Sequence, residues 1–432
     1  MDYESALKWL EGRYNLEQML GGAAVPPPTL DRMSALVKMM GDPQTACPII
    51  HLTGTNGKGS TGRMIAELLS AHGLDPGGYS SPHIDKVNDR ITRRNVALND
   101  EEFAEAVDLV AAVEPFARGD AGPINYFEAM CAAAYGWFAA NAVDVAVIEV
   151  GLGGNWDATN VASADVAVIT NVAMDHAEII GPTLFDIATE KSGIIKPNSY
   201  VVLGETDPEL AAVFRARESR EVWQRDVDFE LVDNRLAVGG RFFTVRTPNG
   251  LYEEIFAPIH GAHQGDNAAL AIAAVEAFFG RQLDQQIVED AFAQVTLPAR
   301  FEIVHRQPLV IVDGAHNEAG AETAAETLFK DFGSDERPIL VVGCNRPHDP
   351  GELLAALRGQ DAQMIVATAA DWPRAVDPAV VAEAASAFGV PVEVRPSVGQ
   401  AVDRAMAVAG DAGTVLVCGS LYVASEARRH LR

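Results

Sequence analysis

A short apolar strand that runs through a glycine-rich bend directly into a helix constrains this chain more than any other feature. The strand is Pro48-Ile49-Ile50-His51-Leu52-Thr53, the bend is Gly54-Thr55-Asn56-Gly57-Lys58-Gly59-Ser60, and the helix continues through Leu69. Glycines let the backbone turn its N–H groups inward, the helix N-terminus adds positive potential, and a lysine at the bend meets terminal phosphates. Lys58 is placed to be that lysine. The spacing is shorter than G-x-x-x-x-G-K-[ST], because Gly54 is the glycine before Gly57-Lys58 and Gly59 separates the lysine from Ser60. A strand-to-helix turn with one solvated lysine is the plain alternative. Strand, glycines, lysine and hydroxyls in this order favour nucleotide binding by Gly54, Thr55, Asn56, Gly57, Lys58, Gly59 and Ser60.

At 432 residues the chain is too long for one ordinary core and predicts two α/β domains. The most apolar run, Ala129 to Val150, is broken by Asn141 and Asp144, short of the roughly 18 residues that cross a bilayer. The start, Met1-Asp2-Tyr3-Glu4-Ser5, lacks the basic and apolar regions of a secretory leader, so a cytoplasmic protein with no membrane association is expected. Cys47, Cys131, Cys344 and Cys418 have no C-x-x-C spacing and read as free buried thiols. A formal charge of −27 argues against nucleic acid as a partner. Small anions remain open, since local cations, helix N-termini and Mg²⁺ hold them whatever the net charge.

Helical spacing is read over residues 1–20, with a break at Gly21 to Pro28, and again from Thr29 to Met40. Gly77 to His83 reads as a polar, turn-rich stretch bordering the site. Helices are predicted over Asp100–Val113, Phe127–Asn141 and Thr183–Ile195, where Lys191 alone reads as an ordinary solvated side chain. The strand Asp144–Val150 is apolar except for Glu149 near its C-terminal end, where ligands of open α/β sheets sit. A second such strand, Asp165–Asn171, ends in Thr170, Asn171, Asp175 and His176, and His176 is a metal-ligand candidate. Residues 200–260 contain a β-rich patch, and Gly261 to Asn267 is expected to cap a helix from Ala268 to Phe279. The boundary is placed at Thr296–Arg300, giving domains of residues 1–297 and 298–432. Four buried strands follow, at Pro308–Asp313, Pro338–Gly343, Gln363–Ala367 and Thr414–Gly419.

These residues resemble a family. Gly54 to Ser60, Ser80-Ser81-Pro82-His83, Tyr126-Phe127-Glu128, Glu149 to Gly154 with Asp157-Ala158-Thr159-Asn160, and Asp313-Gly314-Ala315-His316-Asn317 are together similar to the dihydrofolate synthase/folylpolyglutamate synthases of the Mur ligase family. The resemblance extends to Arg374-Ala375 and Cys418 to Tyr422. It implies an α/β fold with an N-terminal P-loop-type Mur ligase ATPase domain, its central sheet mostly parallel, and a smaller C-terminal Rossmann-like α/β domain. It implies ATP as a substrate, with the phosphates held by the loop, Lys58 acting in catalysis, and Asn267, Arg300 and Asp313 contacting the nucleotide between the domains. Ser81 and Glu149 would bind one Mg²⁺ and His176 a second, and Lys191 would be carbamylated. Asp31 and Arg32, Asn125, Tyr126, Phe127 and Glu128, and Trp156, Asp157 and Ala158 match pterin-binding regions. His316 and Ser420 fall where L-glutamate is expected. The chain departs from the family at Asn155, often arginine, at Ala299, often glycine, and at Arg346-Pro347-His348-Asp349, where an Asp-Lys-Asp-type motif is usual.

The implied reaction activates the carboxylate of dihydropteroate or a reduced folate as an acyl phosphate, which the amine of L-glutamate displaces. A monomer is expected, with domain closure about 296–300 keeping water from the acyl phosphate. One competing reading is a Mur-type ligase acting on a peptidoglycan precursor, although the chain starts almost at the phosphate-loop domain, without an N-terminal UDP-binding domain. The other is a non-catalytic nucleotide switch, against which stands the lack of an Asn-Lys-x-Asp guanine motif.

Overall fold

The computed structural model describes residues 1–18, 29–117, 122–333 and 337–432. The expected break at Gly21 to Pro28 lies outside the described residues. Two compact units are present. The first comprises Met1–Leu16, the described residues from 29 to Pro258, and Gln264–Val295; the second takes Ile259–His263 and Thr296–Arg432. Among the described residues, no helix is long and apolar enough to cross a membrane.

The first unit is built on eight strands: β1 (Ile49–Thr53), β2 (Pro76–Tyr79), β3 (Ile91–Arg93), β4 (Val96–Ala97), β5 (Val145–Glu149), β6 (Val166–Ile169), β7 (Tyr200–Leu203) and β8 (Glu221–Gln224). Their order is β4-β3-β2-β5-β1-β6-β7-β8. The pairs from β2 to β8 are parallel, and β3 and β4 add antiparallel at one edge. Strand β1 is thus central, with Leu52 level with Glu149 of β5 and with Val168 of β6. All three are buried on both faces, which is why they read as continuous apolar runs.

One face is covered by α1 (Tyr3–Glu11), α2 (Asp31–Met39), α4 (Asp100–Ala117) and α5 (Tyr126–Ala140), and α3 (Lys58–Ala71) follows the phosphate loop. Met33, Phe103, Val107, Trp137 and Phe138 join Tyr79 and Ile148 in a single core. Helix α1 is shorter than the spacing predicts: it stops at Gly12, whose N–H bonds the carbonyls of Leu10 and Lys8. Helix α5 opens with a capping box in which Asn125 and Glu128 each bond the other's backbone N–H, at 2.8 and 2.7 Å.

Beyond β6 come α6 (Ala177–Ile180) and α7 (Leu184–Lys191), then α8 (Pro208–Arg215). The β-rich patch is an antiparallel sheet of β9 (Glu230–Ala237), β10 (Gly240–Arg246) and β11 (Leu251–Ala257). Helix α9 (His263–Phe279) starts earlier than predicted, so the 263–267 run forms its first turns instead of preceding it, and α10 (Gln285–Gln294) closes the unit.

The second unit has six strands, β12 (Glu302–Arg306), β13 (Leu309–Val312), β14 (Ile339–Val342), β15 (Met364–Ala367), β16 (Val392–Val394) and β17 (Thr414–Cys418), in the order β12-β13-β17-β14-β15-β16. All pairs are parallel except β12 with β13. Helices α11 (Glu318–Asp331), α12 (Pro350–Ala356), α13 (Pro378–Ala385) and α14 (Val398–Ala409) connect them, and α15 (Leu421–Leu431) follows β17. The α/β architecture is therefore as expected: a large, mostly parallel sheet and a smaller parallel one. All four cysteines are free, three of them buried and Cys47 half-buried.

The stretch after α3 corrects the sequence reading. Gly77 to Tyr79 is a strand and not a turn, because its glycines leave room for neighbours: a Cβ on Gly77 would lie 2.6 Å from the Phe138 ring, and one on Gly78 would lie 2.4 Å from Thr92 Oγ1. Phe138 is buried in the close-packed core, so its ring must shift to admit a methyl at Gly77. Gly77→Ala is therefore expected to cost about 1–3 kcal/mol, seen as an earlier urea midpoint. An unchanged midpoint would show that the ring can move aside.

Candidate functional site

The expected phosphate loop, residues 54–60, is braced by the neighbouring strand end. Thr55 N donates to Asn171 O at 3.1 Å and Asn56 N to Asn171 Oδ1 at 2.9 Å, while Thr170 Oγ1 donates to Asn56 O at 2.6 Å. Thr55 Oγ1 bonds Ala173 O and N at 3.1 and 3.0 Å. Two glycines make this possible. A Cβ on Gly54 would fall 1.8 Å from Thr170 Oγ1, and one on Gly57, which has φ +84° at the N-cap of α3, would fall 2.5 Å from Asn267 Oδ1. Asn267 is thus brought to the loop from α9, and it also accepts from Thr61 Oγ1 at 3.3 Å. Lys58 Nζ donates to its own loop at Gly54 O and Thr55 O, 3.0 and 3.2 Å away. Gly59 and Ser60 lie in the first turn of α3.

Glu149 ends β5 beside this turn, its Oε2 lying 3.5 Å from where a Gly59 Cβ would be. Ser81 follows β2, and because Tyr79 is level with Ile148, Ser81 and Glu149 emerge at the same end of adjacent strands. Asp175 and His176 follow β6 at that end as well, with His176 Nε2 3.7 Å from Asp175 Oδ1 and a left-handed backbone at His176 (φ +51°). Among the described residues, no three His, Cys, Asp or Glu side chains group to hold a metal.

Lys191 is not the solvated side chain that helical spacing suggests. It is only 4% exposed, and burial, reinforced by the positive charge of Lys58, brings its pKa down to about 7, against opposing pulls from Asp175, Glu190 and Asp157. The loop 151–157 packs against this end of α7: Cβ atoms on Gly153 and Gly154 would meet Glu190 Cγ at 2.8 Å and Glu190 O at 2.9 Å. Asn155 N donates to Glu190 O and Trp156 N to Glu190 Oε1, at 2.9 and 3.1 Å. Burial raises the Glu190 carboxyl above its usual range despite these donors. Glu190 was visible in the sequence only as one more helical glutamate, and nothing in the spacing marked it as the support for this loop.

The residues matched to pterin binding have structural partners of their own. Arg32 forms a two-pronged ion pair with buried Glu128, Nη2 to Oε1 at 2.8 Å and Nε to Oε2 at 3.1 Å, while neighbouring Asp31 begins α2. Tyr126 lies under the Arg90 guanidinium at 5.2 Å, and the Phe127 ring fills the space beside Gly151, 2.4 Å from a Cβ placed there. Asp157 accepts from Leu152 N and Thr159 N, both at 3.0 Å, and Ala158 is buried behind it. Phe127 and Trp156 are the aromatic members that stay partly exposed.

Four expected residues belong to the second unit. Arg300 lies over Gly314, its Nη1 2.2 Å from where a Cβ there would be. Asp313 accepts from Phe301 N at 2.8 Å and Ala315 N at 2.7 Å; burial raises its pKa and the Arg300 charge works against that. His316 Nδ1 lies 3.0 Å from Gly314 O, and its ring packs edge-on to His348 at 5.7 Å. Ser420, only 1% exposed, caps α15 by accepting from Val423 N at 3.2 Å. Asp349, in the stretch that departs from the family pattern, caps α12.

Residues 124–275 match the Mur ligase middle domain and residues 299–421 the Mur ligase glutamate ligase domain. The chain is 37% identical to the dihydrofolate synthase/folylpolyglutamate synthase of Mycobacterium tuberculosis, over 93% of this chain and 89% of that one. With the enzyme of the same name from Bacillus subtilis it shares 32% identity, over 100% and 99%. Its fold is similar to that of the M. tuberculosis folylpolyglutamate synthase complexed with ADP and AMPPCP, with TM-score 0.91 and 34% identity over 100% of this chain and 99% of that one. It is also similar to Escherichia coli FolC in complex with DHPP and ADP, with TM-score 0.86 and 29% identity over 99% and 97%.

The position of Lys191 has a consequence for stability. Its folded pKa lies below the unfolded one, so between pH 7 and 10.5 the unfolded chain binds more protons. The cost of burying the ammonium is therefore full below pH 7 and is relieved as pH rises through that window. Lys191→Met is expected to raise the melting temperature more at pH 6 than at pH 10; an equal change at both would mean the amine is not buried as a cation.

Proposed function

The chain belongs to the Mur ligase family, within its dihydrofolate synthase/folylpolyglutamate synthases, and on that premise we propose that it joins L-glutamate to dihydropteroate, to the γ-carboxylate of reduced folates, or to both. It is an ATP-dependent ligase. The observation that carries the proposal is the placement of a phosphate loop on the central strand, with Glu149, Asp175, His176 and buried Lys191 at the same sheet end.

A carboxylate is a poor electrophile with no usable leaving group, and ATP supplies both deficiencies by making an acyl phosphate. The carboxylate and the triphosphate repel each other, so cations must lie along the line of attack. Lys58 sits where its ammonium can leave the Gly54 and Thr55 carbonyls for phosphate oxygens. The loop N–H groups and the N-terminus of α3 add to that field, and Asn267 borders the loop as a nucleotide contact. Arg300 and Asp313 are assigned to the nucleotide, and His316 and Ser420 to the glutamate, on family resemblance. Partly exposed Phe127 and Trp156 offer the faces on which a flat heterocycle would stack.

The donor set fits Mg²⁺: a hydroxyl from Ser81 and a carboxylate from Glu149 are hard oxygen ligands, and Mg²⁺ keeps water and phosphate oxygens for the remainder. His176 is assigned to a second ion. When bound, the metal would neutralise charge on the transferring phosphoryl group. Lys191 suits carbamylation, because an amine with pKa about 7 is substantially unprotonated at neutral pH and free to add to CO₂ with loss of a proton. The product is an anion in the field of Lys58, so repulsion between two cations becomes attraction.

The direct test is incubation with ATP, Mg²⁺, L-glutamate and one acid at a time: dihydropteroate, a reduced folate, or a UDP-muramoyl precursor. Phosphate release with a glutamylated product is expected for one or both of the first two. Release only with the muramoyl acid, or nucleotide binding with no product, would overturn the proposal. Lys58→Ala should lower kcat by about 10²–10³-fold or more with an unchanged melting curve; near-normal turnover would remove its role. Lys191 should gain the mass of CO₂ in bicarbonate and lose it on acidification, and an unmodified residue under bicarbonate would remove the carbamate.

A further inference from the structure

His51 lies in the middle of β1, two residues before Thr53 and hence on the same face of the strand. It is 0% exposed. Its Nε2 is 2.8 Å from Thr159 Oγ1, and that hydroxyl is 2.5 Å from Asp157 Oδ1. The order of donors follows from the end of this chain. A carboxylate accepts, so Thr159 donates to Asp157 and its oxygen receives the N–H of His51 Nε2. His51 is thus the neutral tautomer with its proton on Nε2, in keeping with a pKa that burial brings down to about 3.

The ring's Nδ1 is buried with no hydrogen-bond partner among the described residues. Leaving such an atom unpaired inside a central strand lowers stability. A leucine would fill the space without that cost, so packing alone does not call for a histidine here.

What the histidine reaches is the acid-binding loop. Asp157 is 3% exposed and holds that loop closed on itself through Leu152 N, Gly151 N and Thr159 N. From the same face of β1, Thr53 Oγ1 donates to Gly153 O at 2.8 Å. The strand that carries the phosphate loop therefore grips the loop 151–157 at two points. We propose that His51 is a positioning residue for the acid substrate, acting through Thr159 and Asp157 to set the loop that carries Trp156 relative to the phosphate loop. This rests on the ligase reading for the identity of the substrate, while the hydrogen-bonded chain stands independently of it.

The test uses His51→Leu, which keeps the volume and removes the donor, and His51→Gln, which restores a donor at similar reach. For His51→Leu, the KM for dihydropteroate or reduced folate should rise on the order of ten-fold, while the KM for ATP stays as in the wild type and the melting temperature is equal or higher. His51→Gln should recover most of the acid KM. Independently of any ligand, Trp156 emission, taken as the difference from a Trp156→Phe version of each protein, should shift in His51→Leu and return in His51→Gln. A lower melting temperature with both KM values raised together would mark His51 as structural only, and unchanged acid KM and Trp156 emission would overturn the proposal. Should the wild type form no glutamylated product, the ligase reading falls and the emission comparison still decides the network.

Discussion

The site depends on how closely the chain after β1 passes the end of β6. A phosphate loop needs backbone N–H groups left free to face a ligand, and a loop with free N–H groups needs other bonds to hold its shape. Thr170 and Asn171 provide them, by taking up the N–H groups of Thr55 and Asn56 and the carbonyl of Asn56, so the amides that face a phosphate are the later ones, at the start of α3. The contact leaves no room for a side chain at Gly54 or Gly57. Everything else at the sheet end is arranged around that fixed curve: Glu149 from one neighbouring strand, Asp175 and His176 beyond the other, and the 151–157 loop pinned to Thr53.

Much of this arrangement was legible in the sequence, for a physical reason. Parallel strands buried on both faces are uniform apolar runs, so β1, β5, β6, β13, β14, β15 and β17 announce themselves, and polar residues stand out where they end. Edge and glycine-bearing strands give no such signal. Strand β2 is hidden because its glycines serve Phe138 and Thr92, while β12 and β16 are half-exposed edge strands with mixed residues. Burial of single polar residues was equally hidden. Lys191 looked solvated because helical spacing does not say what packs on a helix end, and Glu190 was indistinguishable from a surface glutamate until the 151–157 backbone was seen against it.

The formal charge of −27 is no obstacle to an anionic ligand, because exposed charges farther than roughly 8–10 Å away are largely screened at physiological salt. At the site the loop amides, the N-terminus of α3 and Lys58 contribute positive potential, and Lys191 is held close to the point where its charge changes. The two lysines interact strongly enough for Lys58 to help lower the pKa of Lys191. A site that must hold several anionic groups gains from excess cationic potential before they arrive. An amine held near neutrality by its neighbours is also the one whose charge can be reversed by modification.

These observations share a pattern of stability given up around one strand end. Lys191 is buried where its cation is disfavoured, Asp157 and Glu190 are carboxylates whose pKa values burial raises, and His51 has a core nitrogen unpaired among the described residues. Each departs from what packing alone would select, and such departures cluster where function requires them. They are also connected: Glu190 holds Asn155 and Trp156, Asp157 holds Gly151 and Leu152, and His51 reaches Asp157 through Thr159. The glycine-rich loop has no apolar side chains at Gly151, Gly153 and Gly154 to fix it by packing, so directional bonds from buried polar groups must do so instead. The close approach of the Gly151, Gly153 and Gly154 backbone to Phe127, Glu190 and Lys191 and the buried polar groups beneath it are two consequences of the same geometry.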